Sequence, residues 1–136
     1  MSKRAGVVGI GNMGSGLAKN LLANGLDVTG IDLKDDRMAA FAAMGGTQAS
    51  SPAQVGANAD AVFVMVMTGD EAKEVIFAEN GLLSTMTEGS AIILTATIKP
   101  HEAVEIAARM EGSGVKLIDS PVSGGFPGAQ GGTLTL

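Results

Sequence analysis

The chain has 136 residues, 46% of them hydrophobic and 17% charged, which is enough for one domain with a real core and too apolar for disorder. A formal net charge of −5, no basic block, no Trp or Tyr and only 3% aromatics exclude nucleic acid as the main partner, since neither the electrostatic footprint nor the stacking platforms are there. The absence of cysteine excludes thiol catalysis, disulfides and thiolate metal sites and fits a cytoplasmic protein, and no apolar run reaches the roughly 18 residues of a membrane span.

Lys3 and Arg4 precede an apolar run that glycines interrupt, so the segment Ala5 to Ile10 reads as a buried first strand and not as a signal peptide. A helix follows from Met13 to Asn24, burying Leu17, Ala18, Leu21 and Leu22, and Asn24-Gly25 ends it. The second strand covers Asp27 to Asp32. A helix over Asp35 to Met44 stops at Gly45-Gly46, ahead of a short third strand near Thr47 to Ala49. Ser51-Pro52 starts another short helix, with serine as cap and proline in the first turn. The continuous run Ala61 to Met67 predicts a central strand buried on both faces. Asp70 to Ala78 reads as a helix, Ser90 to Ala96 as the fifth strand, Pro100 to Met110 as a helix and Val115 to Asp119 as the sixth strand. Strands alternating with helices, joined by right-handed crossovers, give an α/β fold of the Rossmann type, a doubly wound parallel sheet, over a single domain 1–136. Thr133-Leu134-Thr135-Leu136 begins an alternating strand pattern that stops part-way, so the chain is expected to be truncated.

Between the first strand and the first helix lies Gly9-Ile10-Gly11-Asn12-Met13-Gly14, and Asp32 follows eighteen residues after Gly14 at the end of the second strand. This order of strand, glycine turn, helix, strand and acid is the dinucleotide-binding fingerprint. Gly9 permits the tight turn, Gly11 lets the backbone approach a pyrophosphate, and Gly14 lets the helix lie close on the strand. The unpaired N–H groups and dipole of the helix start face the phosphates, so an acidic chain can still bind an anionic cofactor.

Farther on, Ser123-Gly124-Gly125 allows successive N–H groups to converge on one anion, and a carboxylate fits such a nest. Arg37 reads as a solvated helix residue, and the only histidine, His101, as a surface residue at a helix start. No Ser–His–acid set and no metal-ligand spacing is present in the sequence.

Two separated motifs resemble one family. Val7-Val8-Gly9-Ile10-Gly11-Asn12-Met13-Gly14, continuing to Ala18-Lys19-Asn20-Leu21, is similar to the N-terminal signature of the β-hydroxyacid dehydrogenases, the group of 3-hydroxyisobutyrate dehydrogenase and tartronate semialdehyde reductase. Asp119-Ser120-Pro121-Val122-Ser123-Gly124-Gly125, followed by Gly128-Ala129 and Gly132-Thr133-Leu134, looks like that family's substrate-binding segment.

The resemblance implies that Gly9, Gly11, Asn12, Met13 and Gly14 hold the cofactor pyrophosphate. It also implies that Asp32 accepts from the adenosine ribose, and that Met67, Thr68 and Thr97 line the cofactor groove. NAD is favoured over NADP, because Ile31-Asp32 stands where NADP-using relatives have Asn-Arg; Arg37, five residues on, is the residue that could soften that preference if it is not simply solvated. Ser123, Gly124 and Gly125 would take the substrate, a small hydroxy acid. The family's catalytic lysine would lie beyond Leu136, in an all-helical domain through which the protein would form homo-oligomers. None of Lys19, Lys34, Lys73, Lys99 and Lys116 lies in its motif, so this chain alone would carry no catalytic residue and turn over little. The run Leu94-Thr95-Ala96-Thr97 departs from the family, which has Asp and Ser before the threonine.

A non-enzymatic dinucleotide-sensing module of this length is the alternative from another class. A methyltransferase would leave Ser123-Gly124-Gly125 unexplained. A 6-phosphogluconate dehydrogenase shares Val122-Ser123-Gly124-Gly125 but favours NADP and is not expected to carry Asp119-Ser120-Pro121. The missing tyrosine excludes a short-chain dehydrogenase.

Overall fold

A computed structural model describes residues 4–10, 12–66, 68–95 and 99–119. In chain order the elements are β1 (Arg4–Val8), α1 (Asn12–Ala23), β2 (Asp27–Ile31), α2 (Asp35–Ala43), β3 (Thr47–Gln48), α3 (Pro52–Ala57), β4 (Ala61–Val64), α4 (Gly69–Phe77), β5 (Ala91–Leu94), α5 (Pro100–Met110) and β6 (Lys116–Asp119). The strands form one all-parallel sheet in the order β3-β2-β1-β4-β5-β6. The chain winds outward from β1 to β3, returns to the far side of β1 and winds outward again, so the strand order reverses between β1 and β4. Ligands of such sheets bind at the carboxyl ends of the strands beside that reversal.

Side chains of alternate strand residues feed two cores. Val7 and Val28 face α1 and α2, where they pack with Ile10, Ala18 and Phe41. Val8, Val62, Val64, Ile92 and Leu94 face the other way and pack with Val55 of α3, Ala72 and Ile76 of α4, and Ile106 and Met110 of α5. The central strands therefore read as unbroken apolar runs, as strands buried on both faces must.

The doubly wound α/β sheet expected from the sequence is present, with corrections at the ends of elements. β1 stops at Val8, two residues early, because Gly9 leaves the strand at a φ of +96°. β4 stops at Val64, three residues short of Met67. Its neighbours run out there: Met65 N–H still donates to Val8 O at 2.8 Å, the last residue of β1, and Thr95 N–H donates to Val64 O at 3.2 Å, just beyond β5. β5 is likewise trimmed to Ala91–Leu94 and β3 to two exposed residues. In α1 only Ala18 among the four expected core positions is fully buried, and Leu17, Leu21 and Leu22 are half-buried. The short 3-10 turn Leu82–Ser84 was not legible in the sequence, yet it sets Leu82 fully into the core. Ser51 caps α3 as its position before proline predicts, accepting a bond from Gln54 N–H at 3.2 Å.

Phe41 anchors the α2 side. It is 0% exposed, and a Cβ on Gly30 or Gly46 would run into its ring, so both glycines serve to admit the phenyl group. Phe41→Ala should lower unfolding stability by about 3–5 kcal/mol, as large-to-small core changes do. The shift of the urea midpoint measures it.

Candidate functional site

The carboxyl ends of β1, β2 and β4 meet at one rim of the sheet, and the turn from β1 into α1 is built by close backbone approach. Gly9 N–H donates to Ile31 O at 2.9 Å. A Cβ on Gly9 would overlap the carbonyl oxygen of Met65, and a Cβ on Gly14 would overlap the carbonyl oxygen of Gly9. Only glycine suits the first position, for its φ and for its contact. At the second, the missing side chain lets α1 start directly against β1. The twelve residues of α1 aim the unpaired N–H groups of their first turn toward the same rim.

Asp32 lies just past β2 with its carboxylate only 7% exposed. Ile10 N–H donates to Oδ2 at 2.6 Å and Lys34 N–H donates to Oδ1 at 3.0 Å. The acid therefore ties the end of β2 to the glycine turn. An ionised carboxylate has about four acceptor positions, so each oxygen keeps room for one further donor. The backbone N–H of Asp32 points back to Met38 Sδ at 3.2 Å, which fixes the residue from the α2 side.

Arg37 is not merely solvated, as its sequence position suggested. Its Nη1 lies 3.5 Å from Asp32 Oδ2, with the side chain 42% exposed. One turn into α2 is where a long cation can fold back over the end of β2. The spacing Asp32…Arg37 was the available signal.

Thr68 caps α4, its hydroxyl accepting from Glu71 N–H at 3.2 Å while the residue remains exposed. Gly69 beside it packs against the Glu102 carboxylate, which reaches over from α5 into the space a Cβ would take and would have to shift for one. The same carboxylate accepts from Lys99 N–H at 3.1 Å through Oε1. Glu102 thus joins the starts of α4 and α5, the two segments that leave the rim after β4 and β5. Sequence reasoning missed this residue, although Pro100 two positions earlier marked a helix start that a third-position glutamate closes.

Of the remaining sequence-derived positions, Asn12 and Met13 open α1. Gly11, Met67, Thr97, Ser123, Gly124 and Gly125 lie outside the described residues. Lys19, Lys34, Lys99 and Lys116 are exposed, and His101 is exposed in the first turn of α5. Lys73 pairs with Glu105 across α4 and α5, and that hydrogen bond and charge raise the lysine above its usual pKa, so it is held protonated. Among the described residues no group of His, Asp and Glu is arranged to hold a metal, and no helix is long and apolar enough to cross a membrane.

Residues 4–136 match the family model described as the NAD binding domain of 6-phosphogluconate dehydrogenase. The chain belongs to this NAD-binding family. Within it, L-threonate dehydrogenase of Cupriavidus necator is 36% identical over 136 residues, covering 100% of this chain and 46% of its own length. The mitochondrial 3-hydroxyisobutyrate dehydrogenase of Mus musculus is 38% identical over 131 residues, covering 96% of this chain and 39% of its own length. A crystal structure of 3-hydroxyisobutyrate dehydrogenase from Salmonella typhimurium superposes with a TM-score of 0.91 at 33% identity, over 98% of this chain and 47% of that one. The chain thus spans less than half the length of these relatives and corresponds to their nucleotide-binding part. The resemblance to β-hydroxyacid dehydrogenases holds, and a nicotinamide dinucleotide is the cofactor of the family.

The Lys73–Glu105 pair gives a pH signature for the α4–α5 contact. The hydrogen bond from Lys73 lowers the Glu105 pKa below the ordinary 4.5. A depressed folded pKa adds stability that is complete above the unfolded value and lost as pH falls through the folded one. Glu105→Gln should therefore melt below the wild type at neutral pH and converge with it in acid, as the pH falls through the lowered Glu105 pKa. Melting temperature measured against pH tests this.

Proposed function

We propose that the protein is an NAD-dependent dehydrogenase of small 3-hydroxy acids, with this chain, as its domain 1–136, supplying the cofactor half of the site. The observation that carries this reading is the Asp32 carboxylate, anchored by Ile10 and Lys34 N–H groups with one acceptor position left on each oxygen. Those positions suit the paired 2′- and 3′-hydroxyls of an adenosine ribose beside the start of α1. Bound there, the nicotinamide cofactor supplies a hydride acceptor for oxidation of the alcohol carbon.

This chain's residues bind and orient. Gly9 makes the turn, with its own N–H taken by Ile31 O, so that Gly11, Asn12, Met13 and Gly14 carry the pyrophosphate on backbone N–H groups, and Met67, Thr68 and Thr97 border the groove toward the nicotinamide. Thr68 suits this role because its hydroxyl accepts from Glu71 and still has its own proton to donate. Ser123, Gly124 and Gly125 receive the substrate carboxylate. The hydroxyl proton leaves through a lysine contributed by the part of the protein beyond Leu136, so residues 1–136 alone bind cofactor and turn over little or nothing. The complete protein forms homo-oligomers through that same part. Threonate and 3-hydroxyisobutyrate, named in the relatives, are the first substrates to offer.

In the complete protein, NADH formation from NAD+ with a panel of 3-hydroxy acids tests the reaction. Turnover of at least one acid is expected. Tight NADH binding with no turnover across the panel overturns the dehydrogenase reading and leaves only a nucleotide-binding module. Asp32→Asn should weaken NADH binding by about ten- to hundredfold, the usual cost of losing charge-assisted hydrogen bonds, as read by fluorescence titration.

A further inference from the structure

We infer that Glu102 is a positioning residue for the nicotinamide end of the bound cofactor, because its carboxylate sets where the segment carrying Thr68 stands. Glu102 acts there through Thr68, which borders the groove in the dinucleotide-binding reading above, on which this inference rests.

Gly69 meets Glu102, Lys73 pairs with Glu105, and Phe77 lies under Arg109. The partners advance together by about one helical turn at each step, so α4 and α5 meet along one face from the rim outward. Only the first of these contacts lies beside the rim. There the half-buried Glu102 puts its carboxylate in the space a Cβ of Gly69 would take, and Oε1 accepts from Lys99 N–H at 3.1 Å. One carboxylate thus packs on the first residue of α4 and bonds to the backbone just ahead of α5.

Thr68 immediately precedes Gly69. Its hydroxyl accepts from Glu71 N–H at 3.2 Å and its carbonyl from Ala72 N–H at 3.1 Å. Both bonds stay inside α4, so they orient the hydroxyl without fixing where α4 begins. Buried Ala72 and Ile76 hold the body of α4 on the sheet, and Glu102 holds its first residue. On the strand side Thr95 makes the matching tie, its N–H and hydroxyl both donating to Val64 O, at 3.2 and 3.1 Å. Asp70 and Glu71 already place negative charge in the first turn of α4, so the shape of the Glu102 side chain and its bond to Lys99 N–H matter more than its charge. A misplacement of about 1 Å in such a supporting segment is enough to cost up to about a hundredfold at the reacting end.

Titration of the complete protein and its variants with NADH and with ADP-ribose tests this, since ADP-ribose carries the adenosine and pyrophosphate and lacks the nicotinamide. Glu102→Ala should raise the ratio of NADH to ADP-ribose dissociation constants by about tenfold. Gly69→Ala, which displaces the carboxylate without removing it, should move the ratio the same way. Glu102→Gln keeps the shape and the acceptor for Lys99 N–H, and its ratio should stay within about threefold of the wild type. Arg109→Ala, at the far end of the same helix pair, should lower the melting temperature and leave the ratio unchanged. ADP-ribose binding by each variant reports that it is folded, and Gly69→Ala decides if Glu102→Ala binds neither ligand. A ratio unchanged in Glu102→Ala or in Gly69→Ala, or shifted as far by Arg109→Ala, overturns the inference. Failure of the wild type to bind either ligand overturns the dinucleotide reading beneath it.

Discussion

Gly9 turns the chain out of β1 with its α-carbon against the Met65 carbonyl and with its own carbonyl against Gly14, and the ligand-binding rim depends on that double contact. It ends the β1 ladder, so β4 loses its partner soon afterwards. It brings the start of α1 up to the strand, so that the first-turn N–H groups open at the rim and not over the sheet face. It also leaves Ile10 N–H pointing sideways, where it meets Asp32. A side chain at Gly9 would push the end of β1 from the end of β4, and one at Gly14 would push α1 from the end of β1.

Asp32 is the second fixed point, and its burial gives it a consequence beyond accepting from a ribose. A carboxylate taken out of water needs donors, and this one has two backbone N–H groups and a nearby guanidinium. The backbone donors orient it and the guanidinium balances it. The first two are part of the fold and the third is a partly exposed side chain, so the position of the carboxylate is set by the backbone and its charge is balanced from the solvent side.

On the other side of the sheet reversal, α4 and α5 are bound together along their length. Glu102 packs on Gly69 and accepts from Lys99 N–H, Lys73 pairs with Glu105, and Arg109 lies over the Phe77 ring at 3.9 Å from its centroid. These contacts run along one helix pair whose first turns follow the ends of β4 and β5. The segment carrying Thr68 is therefore held by the neighbouring helix as well as by its own cap.

The sequence by itself determined the order of elements, the parallel sheet, the glycine turn and the acid after β2. Each of those rests on local periodicity or on a residue type whose backbone freedom or charge acts within a few positions. α5 matches its expected limits because proline and the apolar spacing act inside one helix. The family, too, was legible in Gly9 to Gly14 together with Asp119 to Gly125. Only the tertiary structure decided where β1 and β4 stop, since a strand ends when its neighbours end, and the β1–β4 partners lie 56 residues apart and the β4–β5 partners 30. Only it moved Arg37 from a solvated position to the side of Asp32, and only it brought Glu102 onto Gly69. Both are meetings across element boundaries: the first was hinted at only by the short spacing Asp32…Arg37, and the second by no spacing a linear pattern displays.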